Sequence, residues 1–184
     1  MTHSLNSFKS AFSGGTRANR FLVIPNFPSI EGLNSSGFSN LQKKCQFTVT
    51  SASLPKVDIG VIAVPYRGRM AYYAGDRQYS VWPIKVYDDN DRTLWNAFHL
   101  WKESLDGHIT HLVNKGSTRD HKTLQTTWSV EQLPTNGTVS HRKINLIRCW
   151  PSEIGGINLD MGSSEFVSFD MTLTFDHIEI SKGL

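Results

Sequence analysis

The sequence predicts a mainly β protein, an antiparallel β-sandwich or partial barrel with one flanking α-helix. The strongest observation is a period of two from Val167 to Asp176, where apolar and polar residues alternate without interruption. A second is the scarcity of helical spacing, since only the segment between Asp91 and Gly107 combines it with a start and a stop signal. The remaining alternating segments are short and are separated by proline and glycine turns, as is typical of antiparallel sheets.

Length and composition indicate one domain. The chain has 184 residues, of which 39% are hydrophobic and 19% are charged, so one core can form. Residues 1–20 are rich in Ser, Gly, Asn and Thr and predict an N-terminal arm or a poorly ordered lead-in, followed by a single domain at 21–184. Cys45 and Cys149 lie outside any CxxC pair and are expected to be buried thiols. We expect neither a signal peptide nor a transmembrane helix.

Three segments open the predicted domain. Phe21–Ile24 is a short apolar strand, and Asn26–Asn40, with its Pro, Gly and Ser residues, predicts a loop. Lys44–Ser53 alternates and predicts a strand that ends at Leu54-Pro55. The apolar face of that strand would consist of Cys45, Phe47 and Val49.

Two further β segments precede the helix. Ile59–Tyr73 predicts a hairpin or a long two-stranded excursion that turns near Arg67-Gly68-Arg69. Gln78–Tyr87 predicts another strand, in which Pro83 favours an edge position or a bulge. The apolar face of this strand would consist of Trp82, Ile84 and Val86.

The helix is predicted between two terminal signals. Asp91 is the expected N-cap and Gly107 the expected C-terminal stop. Four large apolar residues recur between them at helical spacing and are expected to pack in the core: Leu94, Phe98, Trp101 and Leu105.

The second half of the chain predicts three strands. Lys122–Leu133 alternates and is followed by a turn at Pro134-Thr135-Asn136-Gly137. Val139–Cys149 predicts the next strand, which Trp150-Pro151 would break. The last strand, Phe166–Asp176, has one face that must enter a core and one that meets water or a polar channel.

Charge is distributed unevenly along the chain. The segment from Cys149 to Ser181 contains six acidic residues and no Lys or Arg, so it carries −6, and subtraction from the net +3 leaves +9 for the remainder. Such asymmetry indicates two surfaces with different neighbours.

The sequence offers no catalytic, cofactor or metal motif. His108 and His111 are three residues apart, with His99 and His121 nearby, but no Cys or carboxylate at ligand spacing completes a site. No Walker A or GxSxG pattern occurs. The basic residues that could suggest nucleic-acid binding do not form one stripe on a single element and favour a solvated or intersubunit surface: Arg17, Arg20, Lys43, Lys44, Arg67 and Arg69.

Three blocks of sequence resemble the tail tube proteins of contractile-tailed, T-even-like bacteriophages. The first is Ser51-Ala52-Ser53-Leu54-Pro55. The second is Tyr73-Ala74-Gly75-Asp76-Arg77, followed by the tryptophan strand and the helix. The third is Cys149-Trp150-Pro151-Ser152-Glu153-Ile154-Gly155, followed by Ile157-Asn158-Leu159-Asp160 and the alternating strand. The resemblance covers about Gln42 to His177, whereas the N-terminal arm and the 26–40 loop look longer than in that family.

The resemblance implies a structural virion protein without enzymatic activity, assembled in the host cytoplasm. Six copies would form a ring in which one sheet per subunit joins a shared β-barrel, and stacked rings would form the tail tube. Implied partners are further copies, the tail sheath, the tape measure, baseplate and tail terminator proteins, and DNA in transient, non-specific passage. No cofactor and no membrane insertion are implied.

Two surfaces follow from combining this resemblance with the residues. The polar face of the last strand contains no cation and is the candidate lining of the channel, since Lys and Arg would hold DNA phosphates. It comprises Ser168, Asp170, Thr172, Thr174 and Asp176. The excursion from Pro55 to Tyr73 is the candidate contact between rings or subunits and includes Pro55, Tyr66, Arg67, Arg69, Tyr72 and Tyr73.

Three other interpretations remain open from the sequence. One is the tube protein of a related contractile injection or secretion machine, and another is a baseplate protein that initiates the tube. The third belongs to a different class, a carbohydrate-binding β-sandwich module that would present Trp82 and Trp128 on its surface.

Overall fold

A computed structural model describes residues 4–12, 15–30, 35–108, 121–134 and 142–182. The prediction of a mainly β, antiparallel fold is confirmed. The helices are α1 Leu5–Phe12, α2 Ser35–Thr48, α3 Thr93–Leu105 and α4 His121–Leu124. The strands are β1 Phe21–Ile24, β2 Val49–Ala52, β3 Val57–Tyr66, β4 Arg69–Tyr79, β5 Trp82–Tyr87, β6 Thr126–Gln132, β7 Arg142–Ile154, β8 Ser168–Thr174 and β9 His177–Lys182.

The body consists of two sheets that share the long strand β7. Sheet A contains β1, β6, the first half of β7 and β9, in that order. Sheet B contains the second half of β7, then β8, β5 and β2. All of these pairings are antiparallel, so strand direction alternates across each sheet.

The two sheets meet where β7 bends. The sequence predicts that Trp150-Pro151 would break this strand, and that prediction is wrong, because β7 continues to Ile154 with a bulge between Pro151 and Glu153. The bend lies at Arg148, whose φ of 57° is left-handed. A bulge lets the strand change its pairing without ending, which is why a proline is tolerated here.

The core contains buried residues of both sheets and of helices α2 and α3. Leu94, Phe98 and Trp101 have no exposed surface, and Leu105 is partly buried against the core. The ring of Phe98 contacts Phe169 of β8, with ring centroids 6.2 Å apart. Burial of a large side chain of this kind contributes about 1.5–3 kcal/mol, so α3 is held mainly by its apolar stripe.

The start of α3 differs in one residue from the prediction. Asp91 is exposed and is not the N-cap, because Arg92 occupies that position without a side-chain cap. The first turn is bonded by Asp89 instead, whose Oδ1 accepts a hydrogen bond from the Leu94 backbone N–H at 3.4 Å. Lys44 of α2 donates a hydrogen bond to the same carboxylate. At the other end, the Asp106 N–H bonds to the Lys102 carbonyl just before Gly107.

The predicted strand Lys44–Ser53 is wrong for its first half. Helix α2 runs to Thr48, and only Val49–Ala52 forms a strand. The side chains that are buried, Leu41 and Cys45, are spaced four residues apart as on one helix face, while Phe47 is 83% exposed. Helix α2 also begins at Ser35, within the segment 26–40 that was predicted to be a loop, so that prediction is wrong for residues 35–40.

Strand β5 lies inside sheet B between β2 and β8. The strand as a whole is therefore not at an edge, but Pro83 itself has no partner on β2, because β2 ends at Ala52 opposite Ile84. Pro83 has its strand neighbour on one side, at Thr172 of β8. The predicted turn at residues 134–137 falls outside the described residues beyond Pro134.

Candidate assembly surfaces

One face of sheet B is polar and points away from the core. On β8, Phe169, Met171 and Leu173 are buried, so the intervening residues face outward: Ser168, Asp170, Thr172 and Thr174. Asp170 is exposed and the other three are partly exposed. Since β8 lies in the middle of the sheet, this polar face extends over its neighbours.

The neighbouring strands change the charge of this face. Lys85 of β5 lies directly opposite Asp170, and Glu153 of β7 lies opposite Thr172. Paired residues share a face, so Lys85 adds a cation to this polar face. The sequence of the last strand alone did not predict this cation. The alternation of Lys85 with buried Ile84 and Val86 could have found it.

Asp176, the fifth residue predicted for this face, lies beyond the end of β8. It follows β8 at the bend between the sheets, where its carboxylate forms an ion pair with Arg148 at 3.0 Å. Its backbone N–H donates to the Ile147 carbonyl at 3.0 Å. Asp176 therefore holds the corner of the fold.

Both edges of sheet B are open within the described part of the chain. The outer side of β2 has no pairing strand, and the second half of β7 pairs only with β8 because β6 stops opposite Cys149. Unpaired backbone groups along such edges recruit further strands. Gly155 prolongs the β7 edge, because its N–H bonds to the Asp170 carbonyl at 2.7 Å and a Cβ there would meet that oxygen at 2.9 Å.

A long hairpin projects from one end of sheet B. Strands β3 and β4 pair from Val57 opposite Tyr79 to Tyr66 opposite Arg69, and Arg67 and Gly68 form the turn with φ values of 46° and 79°. Positive φ at both positions is what a type I′ turn requires. At about 3.3 Å per residue, the ten residues of β3 extend about 30 Å. The sequence predicted this excursion and its turn.

Both faces of the hairpin expose large apolar side chains. Ile62 lies opposite Tyr73 on one face, and Tyr72 opposite Ala63 on the other. The exposed large apolar residues are Val57, Ile59, Val61, Ile62, Val64, Tyr66, Met70, Tyr72 and Tyr73. Exposed apolar side chains at this density are typical of interaction surfaces.

The other predicted hairpin residues occupy its two ends. Pro55 is partly buried at the base, just before β3. Arg67 and Arg69 are exposed at the tip, and the Arg67 guanidinium lies 5.4 Å from the centroid of the Tyr66 ring. The tip is therefore cationic and aromatic.

A cleft of about 530 Å³ lies at the opposite end of sheet B. Its floor includes Lys85, Ser168 and Asp170, and its wall is the segment from residue 156 to residue 167. That wall exposes Leu159, Met161 and Phe166, and the ring of Phe166 contacts Tyr87 at 6.3 Å. No motif in this segment predicts a function.

The tryptophans do not form a carbohydrate-binding surface. Trp82 and Trp128 have no exposed surface, and their indole N–H groups donate to the carbonyls of Ser53 and Asn26. The carbohydrate-binding alternative, which required both side chains on the surface, is therefore wrong in its stated form.

The structure shows the surroundings of His99 among the candidate histidines. The ring of His99 contacts the Trp95 ring at a tilt of 42°, with ring centroids 3.8 Å apart. Burial lowers the pKa of His99, with a further contribution from nearby Lys102. His111 lies outside the described residues. Within the described ranges, no three His, Cys, Asp or Glu side chains are grouped to hold a metal ion, and no helix is long and apolar enough to cross a membrane.

An antiparallel sheet with two open edges and one polar face, joined to a long apolar hairpin, defines a self-assembling structural β protein. A family model described as phage tail tube protein matches residues 16–181. The chain therefore belongs to the phage tail tube protein family. The predicted resemblance is confirmed, as are a structural role in a tail tube and a place in the virion tail.

Curated relatives cover most of the chain. The tail tube protein of Serratia phage KSP90 is 26% identical over 165 residues, 88% of this chain and 88% of the relative. Tail tube protein gp19 of Enterobacteria phage T4 is 25% identical over 142 residues, 77% of this chain and 85% of the relative.

Solved structures share the fold at lower identity. A structure of the PVC extracellular contractile injection system, sheath/tube terminator in the extended state, matches with a TM-score of 0.59 at 13% identity, covering 90% of this chain and 95% of that chain. The anti-feeding prophage tube-terminating cap matches with a TM-score of 0.60 at 15% identity, covering 91% of each chain.

Proposed function

We propose that six copies close into a ring, that rings stack into a hollow tube, and that this tube conducts DNA inside a contractile sheath. The observation that carries the proposal is the pair of open edges of sheet B. The role is structural, and no catalytic step is required of the chain.

Ring closure follows from strand direction. Sheet B contains four strands that alternate in direction, so its two edge strands, β2 and β7, run oppositely. When copies are related by rotation about one axis, β2 of one copy meets β7 of the next as an antiparallel pair. Six copies would then form a barrel of about twenty-four strands without a free edge, and such a head-to-tail interface closes into a ring.

The polar face of sheet B is the proposed lining of the channel. Its charged groups include Asp170, Glu153 and Lys85, so carboxylates outnumber the ammonium group. Lys85 lies opposite Asp170, which weakens its attraction for phosphate. A surface with few uncompensated cations releases few counterions from DNA and lets the duplex slide. Asp176, with its carboxylate in the corner, has a structural part in this proposal.

The hairpin is the proposed contact between rings or subunits. Strands β3 and β4 pack chiefly on each other, and the residues of the tip are exposed. Covering the apolar faces around Tyr72 and Tyr73 with further copies would remove them from water. Assembly thereby gains a hydrophobic driving force that the isolated chain lacks.

The further partners are proposed by similarity. The solved relatives come from sheath/tube terminator, sheath–tube and baseplate structures of contractile injection systems. By this similarity, the proposed partners of this chain are a tail sheath protein, a tail terminator protein and baseplate proteins. A tape measure protein would occupy the lumen during assembly.

Microscopy of the purified chain tests the ring and the tube. The expected result is rings with six-fold symmetry and hollow tubes in negative stain, and strand pairing between β2 and β7 in a cryo-microscopy map. A chain that stays monomeric at all accessible concentrations, or rings of another symmetry, would contradict the proposal.

A tube protein of a related contractile injection machine is the second candidate, favoured by the fold-level match to the PVC and anti-feeding prophage structures. The contents of the natural particle separate the two. Particles with a DNA-filled capsid support the phage tail, and free particles without a capsid support the injection machine.

A further inference from the structure

The hairpin and the cleft lie at opposite ends of sheet B. The hairpin joins β5 at Trp82, whereas the cleft adjoins Tyr87, at the other end of that strand. Strand β8 runs antiparallel to β5, so Ser168, the residue that follows the cleft wall, pairs with Tyr87. When copies stack in one orientation, the hairpin end of one copy faces the cleft end of the next.

The chemistry of these two ends is complementary. The hairpin tip carries Arg67 and Arg69 beside exposed Tyr66 and Met70. The cleft is lined by three carboxylates and one ammonium group: Asp160, Glu165, Asp170 and Lys85. It therefore carries about two negative charges against two positive charges at the tip. Electrostatic complementarity of this kind fixes the register and the partner of an interface.

The apolar parts of the two ends also match. The cleft wall leaves Leu159 78%, Met161 107% and Phe166 85% exposed. The tip leaves Tyr66 65% and Met70 52% exposed. An acidic cleft with an apolar wall fits a basic tip with aromatic and thioether side chains, because both apolar surfaces leave water on contact.

We infer that the β3–β4 tip of one copy occupies the cleft between the 156–167 segment and sheet B of a second copy in the next ring. This inference rests on the proposed function, since it names the surface that receives the hairpin. It also assigns a function to the acidic segment, in which three of the six carboxylates, at Asp160, Glu165 and Asp170, line the cleft.

A charge exchange between tip and cleft tests the inference. Arg69→Glu reverses the tip, and Glu165→Lys reverses the cleft. Asp160 is left unchanged because its Oδ1 accepts the Gly162 N–H at 2.9 Å and shapes the wall. The Glu165 backbone N–H, which bonds to Ser163, is retained in the variant.

Tube formation is measured by sedimentation and negative-stain microscopy over a range of protein concentrations. Because the contact repeats at every subunit, each single reversal should raise the concentration needed for tubes at least about tenfold while rings persist. The double variant should return to within about threefold of the unmodified chain, because the pair is restored with opposite signs. Lys102→Glu, an exposed reversal on α3, is the matched control and should leave tube formation unchanged.

A cysteine pair gives a second measurement. In a Met70→Cys, Met161→Cys variant, mild oxidation of tubes should produce a ladder of cross-linked multimers that contain more copies than one ring does. Bonds between successive rings can extend along the whole tube, whereas bonds within a ring cannot exceed the copies of that ring. Cys45 and Cys149 are buried and do not compete.

The outcomes separate the inference from the proposed function. Normal tubes from both single reversals, or a double variant worse than either, would overturn the tip-and-cleft contact while leaving the tube itself intact. Cross-links confined to one ring would do the same. Failure of the unmodified chain to form rings or tubes would overturn the proposed function and the inference together.

Discussion

Arg148 and Asp176 form an ion pair across the corner where sheet A meets sheet B, with Nη1 and Oδ2 3.0 Å apart. Arg148 lies at the bend of β7 and has a φ of 57°. Asp176 lies in the short connection between β8 and β9, the two strands that pair with β7 at this bend. The Asp176 N–H also bonds to the Ile147 carbonyl. The chain therefore bends at neighbouring positions, at Arg148 within β7 and at Asp176 between β8 and β9. As a result β7 contributes to both sheets, while β8 belongs to sheet B and β9 to sheet A.

Substitutions at Arg148 should separate backbone strain from the ion pair. The ion pair is about half exposed on both sides, so its loss in Asp176→Asn should lower the free energy of unfolding by only about 0.5 kcal/mol. Arg148→Gly loses the same pair but tolerates the positive φ, and it should stay within about 1 kcal/mol of the unmodified chain. Arg148→Val should be less stable than Arg148→Gly by about 2 kcal/mol, because a β-branched residue is strained at this φ. Urea unfolding measures all three, and equal stability of the Val and Gly variants would contradict the strain.

The bonding of the first turn of α3 by Asp89 should make stability depend on acid pH. Partial burial acts to raise the pKa of Asp89, but hydrogen bonds from Lys44, the Leu94 N–H and Thr93 outweigh it and hold that pKa below its usual value. A carboxylate with a lowered pKa stabilises the fold above its unfolded pKa of about 3.9, and this contribution is lost as pH falls through the folded pKa.

Asp89→Asn should therefore flatten the decline of unfolding free energy below about pH 4 and lower stability by about 1 kcal/mol at pH 7. The control is Asp91→Asn, since Asp91 is 77% exposed and lies 3.8 Å from Lys44. Equal effects of the two changes would show that Asp89 does not bond the first turn.

Regular periodicity explains what the sequence could predict. The alternation from Val167 to Phe175 identified β8 and its core face, and the spacing from Leu94 to Trp101 identified α3, because each pattern repeats often enough to exclude the other period. The Arg67-Gly68 turn was predictable because glycine favours positive φ.

Short or mixed patterns explain the misses. In α2, the pair Cys45 and Phe47 fits the period of two of a strand, and the pair Leu41 and Cys45 fits the spacing of a helix equally well. The burial of Leu41 and Cys45 in the folded chain decides between the two. Strand β9 has only Ile178 and Ile180 as an apolar alternation and is held by pairing with β7. The cleft depends on how the 156–167 segment folds over sheet B, a long-range placement that no local pattern encodes.

The two thiols should report on unfolding. Burial raises the pKa of Cys149 to about 12, with a further contribution from Asp176, and burial also raises the pKa of Cys45. Since the thiolate is the reactive form, neither should react with a thiol reagent at pH 8 in the native chain. Met161→Cys, at a fully exposed position, should react at once and is the matched control. Fast labelling of two thiols in the unmodified native chain would contradict their burial.

Shortening the hairpin should separate folding from stacking. Ala63 and Tyr72 are paired, so residues 64–71 can be replaced by Asn-Gly, which forms the same class of turn. Strands β3 and β4 pack chiefly on each other, so the body should fold as before and rings should form. Tubes should be lost, because the tip no longer reaches another ring. Circular dichroism tests the fold and microscopy the assembly, and normal tube growth would contradict the role of the hairpin.

Reversing the charge of the proposed channel should make the tube retain DNA. Asp170→Lys removes the carboxylate opposite Lys85 and places two cations side by side on the polar face of sheet B. Phosphates passing such a lining would release counterions and bind, most strongly at low salt. The variant combining Asp170→Lys with Asp176→Lys adds a second reversal, but it also removes the Arg148 ion pair, so the single change is the simpler test. Because Asp170 also lines the cleft, DNA retention is compared on tubes assembled above the concentration that the variant needs for assembly.

DNA delivery by particles that carry the variant tube should fall, and DNA held by purified tubes should rise as the salt concentration is lowered. Glu103→Lys, an exposed reversal on α3, changes the net charge equally and should leave delivery unaffected, because α3 covers the opposite face of sheet B. Full delivery with lysine at position 170, from tubes of normal appearance, would show that the polar face of β8 does not line the path of the DNA.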